Sequence, residues 1–406
     1  MALGSYGKLM LCIVLFTASS ARGDTATLTR DRVIELARAR APQVLVAQTR
    51  VSEARGGITS ARLLARDNPV IEALAGPRWS DERSTDVEIG LSIPIELGGR
   101  RGKRTDAARA ELRAAEHLTT DEQRRAIGVA LAAYYRVLHA DALVALAGKR
   151  KTLAQELLAV GEARLKAGGD VTKLDLNLAR NELALAESEI QVASSSATRA
   201  RADLAAVLGL KTADVATVTG DLADRRLFDM VVATKERSDL AARRDEVTAA
   251  SALVRVADAD RWPSLSLRIA YAHEDRGTDI LLGGIALSLP LFNREQGERI
   301  AARARQERAR VELTALENTI AAETDAVRAS YAAAVSAVEI LEKRALPLAT
   351  ENEQLAHESY RAGKLELPAL LVIRRDALAT RATHLDRLRD AALAGVELAV
   401  TLQTIQ

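Results

Sequence analysis

Cysteine, proline and aromatic residues are all scarce in this chain of 406 residues. It has one cysteine, eight prolines and 3% aromatics. A single cysteine excludes an intramolecular disulfide and a cysteine-built metal site. Few prolines leave long stretches free to stay helical. Few aromatics exclude the bulky core of an ordinary globular domain. The formal net charge is only +2, so the broad basic footprint of a nucleic-acid binder is missing and no nucleic-acid partner is expected. No apolar run approaches the roughly 18 residues of a membrane-crossing helix. No nucleophile–base pattern, phosphate loop or pair of catalytic acids stands out, so an enzyme is not expected. The five histidines, His117, His139, His273, His357 and His384, lack metal-ligand spacing and read as surface or packing residues. Neither metal nor cofactor is expected.

What the chain does have is alanine, leucine, arginine and glutamate, the composition of long helices and coiled coils. Its start reads as a secretory signal over residues 1–23. Lys8 is the basic region, Leu9 to Ala18 the apolar region, and Ala21-Arg22-Gly23 offers cleavage before Asp24. Removing that segment takes away Lys8 and Arg22, which brings the formal charge from +2 to zero. Cys12 leaves with it and lacks the small-residue context of a lipid-anchored cysteine.

The rest of the chain says the same thing twice. Asn68-Pro69-Val70-Ile71 answers to Trp262-Pro263-Ser264-Leu265, and Leu91-Ser92-Ile93-Pro94 to Leu287-Ser288-Leu289-Pro290. Tyr134-Tyr135 answers to Ser330-Tyr331, and Lys166-Ala167-Gly168 to Arg361-Ala362-Gly363, always 194 to 196 residues on. A period this long means two copies of a large unit, not a solenoid. The expected units are residues 24–227 and 228–406. Each runs helix, two strands, very long helix, glycine turn, helix. The first helix is expected over 28–66, ended by Pro69. Strands are expected at about 69–76, 87–95, 263–271 and 282–291. The long helices are expected from about 97 to 167 and from 296 to 362, the second interrupted at Pro347. At 1.5 Å per residue the first would run roughly 100 Å.

Val87-Glu88-Ile89-Gly90-Leu91-Ser92-Ile93-Pro94 alternates apolar with polar or small, the mark of a half-buried strand. Four such strands fit lipid outside and water inside, and their length suits a tilted membrane crossing. Four cannot close a barrel, and open edges are costly in lipid. Two copies would supply eight strands and three would supply twelve. A small soluble sheet capping a helical bundle is the competing architecture.

In this order the hairpins, helix starts and glycine turns resemble the outer-membrane factor family typified by TolC, from about Leu28 to Leu402. Pro94-Ile95-Glu96-Leu97-Gly98-Gly99-Arg100-Arg101 and Pro290-Leu291-Phe292-Asn293-Arg294-Glu295-Gln296-Gly297 look like the heavy-metal branch typified by CzcC. Tyr360-Arg361-Ala362-Gly363 is a further family phrase. The resemblance implies a mainly α fold with a membrane β-barrel: a homotrimer whose twelve-stranded barrel continues into a long α-helical periplasmic tunnel. It implies an outer-membrane, lipid-facing duct of a tripartite efflux system, with a periplasmic adaptor (membrane fusion protein) and an inner-membrane RND pump. Heavy-metal cations are the implied cargo. A duct for organic compounds or for type I secretion is the alternative, and a soluble periplasmic coiled-coil scaffold or adaptor is the alternative of another class.

On that resemblance the periplasmic tip and adaptor-docking surface comprises Lys166, Gly168, Gly169, Asp170, Arg361, Gly363, Lys364 and Glu366. The bland reading is that these glycines only cap helices. Drug-exporting relatives carry aspartates where this chain has Ala369 and Val372, so the candidate gate acids here are Asp170, Asp175 and Glu366. A solvated helix-end charge is the competing role. Trp79, Trp262 and Tyr271 lie near strand ends, where interfacial aromatics sit at a membrane surface.

Overall fold

The computed structural model of the chain describes residues 27–79, 84–168, 171–215, 217–224, 237–274 and 277–404. The expected signal peptide over 1–23 lies outside the described residues, as do Gly169 and Asp170 of the first tip turn. In chain order the elements are α1 (Arg30–Arg40), α2 (Pro42–Ala61), β1 (Val70–Arg78), β2 (Ser84–Ile95), α3 (Arg100–Lys166) and α4 (Lys173–Leu208). Then come α5 (Ser238–Ala259), β3 (Ser264–Glu274), β4 (Thr278–Ser288), α6 (Gln296–Ile340), α7 (Leu346–Arg361) and α8 (Leu367–Thr401).

The first helical stretch departs from the single helix expected over 28–66. It breaks at Ala41, whose ψ of 132° is extended, because Pro42 follows it and starts α2. Thr29 caps α1 by accepting a hydrogen bond from the Arg32 amide at 3.4 Å. The second long helix also departs from expectation. Pro347 has no N–H, and its ring excludes the carbonyl four residues back. The backbone therefore widens into a π-turn at Leu341–Ala345, one turn ahead of the proline.

The 67 residues of α3 span roughly 100 Å. One 18-residue window of α3 has a mean hydropathy of 1.4 and would pass for a membrane helix by composition, but half of it is buried. Ile127, Leu131, Tyr134, Tyr135, Val137 and Leu138 of α3 form the main core with Val33, Leu204, Leu208, Val338 and Ala391. Burying these side chains from α1, α4, α6 and α8 holds the bundle at one level. The segment after α4 joins this core. Leu28 pairs in parallel with Val218, and Thr219 N donates to Leu28 O at 3.1 Å. Tyr134 Oη donates to Thr219 O at 2.8 Å.

Gly220 lies under that tyrosine. A Cβ added there would stand 1.9 Å from Tyr134 Oη. Gly220→Ala is therefore expected to displace the tyrosine and destabilise the chain by about 1–3 kcal/mol. Thermal unfolding followed by circular dichroism checks this, and an unchanged midpoint would contradict the contact.

The strands form one antiparallel sheet in the order β1-β2-β3-β4. The two halves of the chain meet where β2 pairs with β3, from Val87 opposite His273 to Ile95 opposite Leu265. β1 and β4 are the edges. Each strand runs further toward the hairpin ends than the sequence suggests, to Arg78 and Glu274, and β2 and β4 begin earlier, at Ser84 and Thr278.

Candidate functional site

The register sorts the sheet into two faces. Ile71, Ile89, Leu91, Ile93, Leu265, Leu267, Ile269, Tyr271, Leu281, Ile285 and Leu287 share one face. Glu72, Glu88, Gly90, Ser92, Ser264, Ser266, Arg268, Ala270, Gly284, Ala286 and Ser288 share the other. The first face is apolar, and much of it is exposed, with Ile285 at 74%. The sorting is not complete, since Val70, Leu74, Ile280 and Leu282 fall on the second face and His273 and Asp279 on the first, but a mainly apolar exposed face backed by a mainly small and polar one is the two-sided pattern of a barrel wall.

The turn from sheet to helix explains the glycine phrase. Gly98 and Gly99 take φ of +73° and +69°, left-handed values that only glycine adopts freely. They aim Arg100 across to the other half of the chain. Its Nε donates to Ala259 O at 3.2 Å and its Nη2 to Asp260 O at 3.5 Å and to Trp262 O. Arg100 thus satisfies the open carbonyls at the end of α5. In the second half Glu295 makes the same turn with φ +54°, steadied by its amide donating to Asn293 Oδ1 at 3.0 Å. Trp262 sits at the inner end of β3, Tyr271 in its outer half and Trp79 just beyond β1, all exposed.

At the far end of the bundle the two tip turns adjoin. Arg164 stands 5.1 Å above the Tyr360 ring, and its Nη2 donates to Arg361 O at 3.5 Å. Leu157, Ala356, Tyr360, Leu367, Leu370 and Leu371 cluster beneath. Gly168 and Gly363 both take positive φ, +72° and +73°. After Gly363 the Lys364 amide bonds back to Ser359 O at 2.8 Å, which closes a helix C-cap. Lys166, Arg361, Lys364 and Glu366 are all exposed around these turns. A groove of about 790 Å³ runs between them, lined by Arg164, Thr172, Asp175, Tyr360, Arg361 and Glu366 among others.

The candidate acids differ in their surroundings. Asp175 is engaged in a capping box at the start of α4, accepting from Thr172 N at 3.0 Å while its own amide donates to Thr172 Oγ1 at 3.1 Å. Glu366 precedes α8 and makes no side-chain cap bond. Asp170 lies outside the described residues. Arg164 and Thr172 were missed by the sequence reading. The Thr172-x-x-Asp175 spacing was the available signal for one, and nothing local announced the other.

Ion pairs stitch the long helices together. Glu182 of α4 accepts from Arg150 of α3 at 2.8 Å and from Arg375 of α8 at 2.9 Å. Burial alone would raise the Glu182 pKa, but hydrogen bonds from Arg375 and Arg150 outweigh it and hold the carboxyl below its ordinary range. The same competition, won by Arg237, lowers Asp239. His139 is held below the usual histidine range by burial and by Arg389, against the pull of Asp386 at 2.9 Å. All three depressed values act in one direction. Stability is fully present above the unfolded pKa and is lost as pH falls through the folded one. Acidification is expected to weaken the bundle first below pH ~6.5 through His139, then below pH ~4 through the carboxylates. Thermal midpoints against pH check this, and a His139→Gln variant should lose only the first stage.

Among the described residues no group of three or more histidine, cysteine, aspartate or glutamate side chains is placed to hold a metal ion. A family model described as outer membrane efflux protein matches residues 33–210. Cobalt-zinc-cadmium resistance protein CzcC of Cupriavidus metallidurans is 27% identical over 365 residues, 88% of this chain and 86% of that protein. The solved structure of CusC superimposes with a TM-score of 0.74 at 19% identity, covering 96% of this chain and 95% of its own. The outer-membrane channel OprN gives a TM-score of 0.73 at 19% identity, over 92% and 89% of the two chains. VceC, the outer membrane protein of Vibrio cholerae, gives 0.73 at 20%, over 92% and 95%. The two-faced sheet, the long helices running from it and these matches lead to one assignment: the chain matches the outer membrane efflux protein family over residues 33–210, and is an outer-membrane duct for efflux with its helices on the periplasmic side.

Proposed function

We propose that this duct serves export of heavy-metal cations, as a homotrimer joined through a periplasmic adaptor to an inner-membrane RND pump. The observation that carries the cargo is the similarity to CzcC over most of both chains. The observation that carries the oligomer is the open sheet. β1 and β4 each pair on one side only, and unpaired backbone groups in lipid cost several kcal/mol each. Three copies, edge to edge, make a closed wall of twelve strands, the number the family resemblance implies. On this reading the chain is a conduit and does no chemistry of its own. Residues 24–227 and 228–406 are its two repeats, so three chains make a tube of near-sixfold pattern.

Trp79, Trp262 and Tyr271 are the aromatics at the two membrane surfaces. Lys166, Gly168, Gly169, Asp170, Arg361, Gly363, Lys364 and Glu366 form the tip that meets the adaptor. Asp170, Asp175 and Glu366 are the gate acids. Of these Glu366 is the strongest choice, because Asp175 already serves its helix cap.

Deleting the gene from its host is expected to raise sensitivity to cobalt, zinc or cadmium salts, with restoration by the plasmid-borne chain. Unchanged metal tolerance alongside new sensitivity to organic toxicants would move the cargo to the alternative class. Crosslinking in outer-membrane vesicles should give a trimer, and a freely soluble monomer would overturn the assembly. Glu366→Gln with Asp170→Asn should alter cation conductance in planar bilayers, and identical conductance and selectivity would remove both from the gate.

A further inference from the structure

The small and polar face of the sheet carries a charge cluster that export as such does not require. Arg268 of β3 places Nη2 3.0 Å from Glu88 Oε1 on β2 and 3.4 Å from Glu72 Oε2 on β1. One guanidinium thus reaches across three strands. Small residues lie beside it, with Ser92 and Gly284 opposite Arg268 in the neighbouring strands and Gly90 opposite Ala270, while Val70, Leu74 and Leu282 are the larger apolar neighbours on this face. A Cβ added at Gly90 would be 3.7 Å from Arg268 Nε, so the guanidinium lies flat along this wall. All three side chains keep solvent contact, at 44%, 48% and 33% for Arg268, Glu72 and Glu88. At the same level the opposite face presents Leu91, Ile269 and Gly283.

We propose that Glu72, Glu88 and Arg268 are the charge selector of the barrel lumen, favouring passage of cations over anions. The proposal rests on the reading of this face as the water-filled bore. Two carboxylates against one guanidinium leave one negative charge per chain, repeated around the bore by the oligomer. Asp86 and Glu274 lie on the same face nearer the hairpin ends, so acids outnumber bases among its described side chains. Arg268 neutralises half of the pair and holds both carboxylates against the wall, which keeps the bore wide. A charge of either sign within about a Debye length changes the local concentration of permeant ions.

The test uses a thiol reporter, Ser92→Cys, in the full chain with Cys12→Ala. Outer membranes are treated with positively and with negatively charged methanethiosulfonates, and the ratio of the two rates is read. The ratio cancels any effect on the thiol itself. It is expected to favour the cationic reagent, to rise about fivefold with Arg268→Ala, and to fall below one with Glu72→Gln and Glu88→Gln together. Arg268→Lys should leave it near the starting value. If Arg268→Ala fails to reach the membrane, the double glutamine variant, which keeps the arginine, carries the test. Equal ratios in all charge variants would overturn the selector while leaving the duct intact. A reporter inert to both reagents in membrane-inserted protein would instead overturn the water-filled bore.

Discussion

Ile285→Arg is expected to keep the chain out of the outer membrane, whereas Ala286→Arg, one residue along, should insert. Ile285 pairs with Leu267 on the apolar face, and Ala286 pairs with Ser266 on the small and polar one. Both positions are exposed in the chain, so neither substitution meets a packed core. The difference lies in what each face meets. An arginine turned to lipid near the bilayer centre costs about 2–4 kcal/mol, and in the proposed trimer every protomer bears it. An arginine in the lumen stays hydrated. Membrane fractionation of the two variants decides the matter. Equal insertion would mean that the faces are wrongly assigned, and with them the bore.

Arg124→Ala is the second substitution with a large expected effect. Arg124 is 5% exposed and holds together elements far apart in the chain. Its Nε donates to Asp121 Oδ1 at 2.9 Å, its Nη1 caps Val400 O at 2.5 Å near the end of α8, and its Nη2 stands 3.9 Å from Asp239 Oδ2 at the start of α5. Arg237 and Glu323 extend the network at 3.0 Å to α6, and the Ser238 amide donates to Gln403 Oε1 at 3.1 Å. Removing the guanidinium leaves two buried carboxylates with fewer partners and leaves Val400 O with only the Gln403 amide, at 3.2 Å, as donor. The expected loss is about 3–5 kcal/mol, seen as a lower unfolding midpoint and less protein in the outer membrane. Asp121→Asn with Arg124→Met should recover part of it, because a neutral pair needs no buried counter-charge. A fully stable Arg124→Ala protein would show the network to be ornamental.

Much of the fold was legible because it is written in local patterns. The alternation from Val87 to Pro94 marks a strand, Asn68-Pro69 and Trp262-Pro263 mark helix stops, and the proline-free run after Gly99 marks a very long helix. The two breaks that were missed or misplaced, at Ala41 and at Leu341–Ala345, were signalled by Pro42 and Pro347. The reading located a stop at one proline and overlooked the other. The candidate site was less legible. Gly168 and Gly363 were found, since a positive φ demands glycine. Asp175 was read as a gate charge, and its place in the helix cap, spelled by Thr172 three residues earlier, was not read.

By itself, the sequence determined the alternation of two kinds of element, their doubling and the composition that makes helices long and strands two-faced. Those properties depend on neighbours within a few residues. Only the tertiary structure decided that β2 lies beside β3, that Arg100 closes the end of α5, and that Arg268 reaches both Glu72 and Glu88. Each of these joins residues more than 150 positions apart. A pairing register or an ion pair at such separation is set by how long helices and strands pack around one another. No local pattern of residue types carries that information, because the same arginine spacing serves equally well on a solvated face.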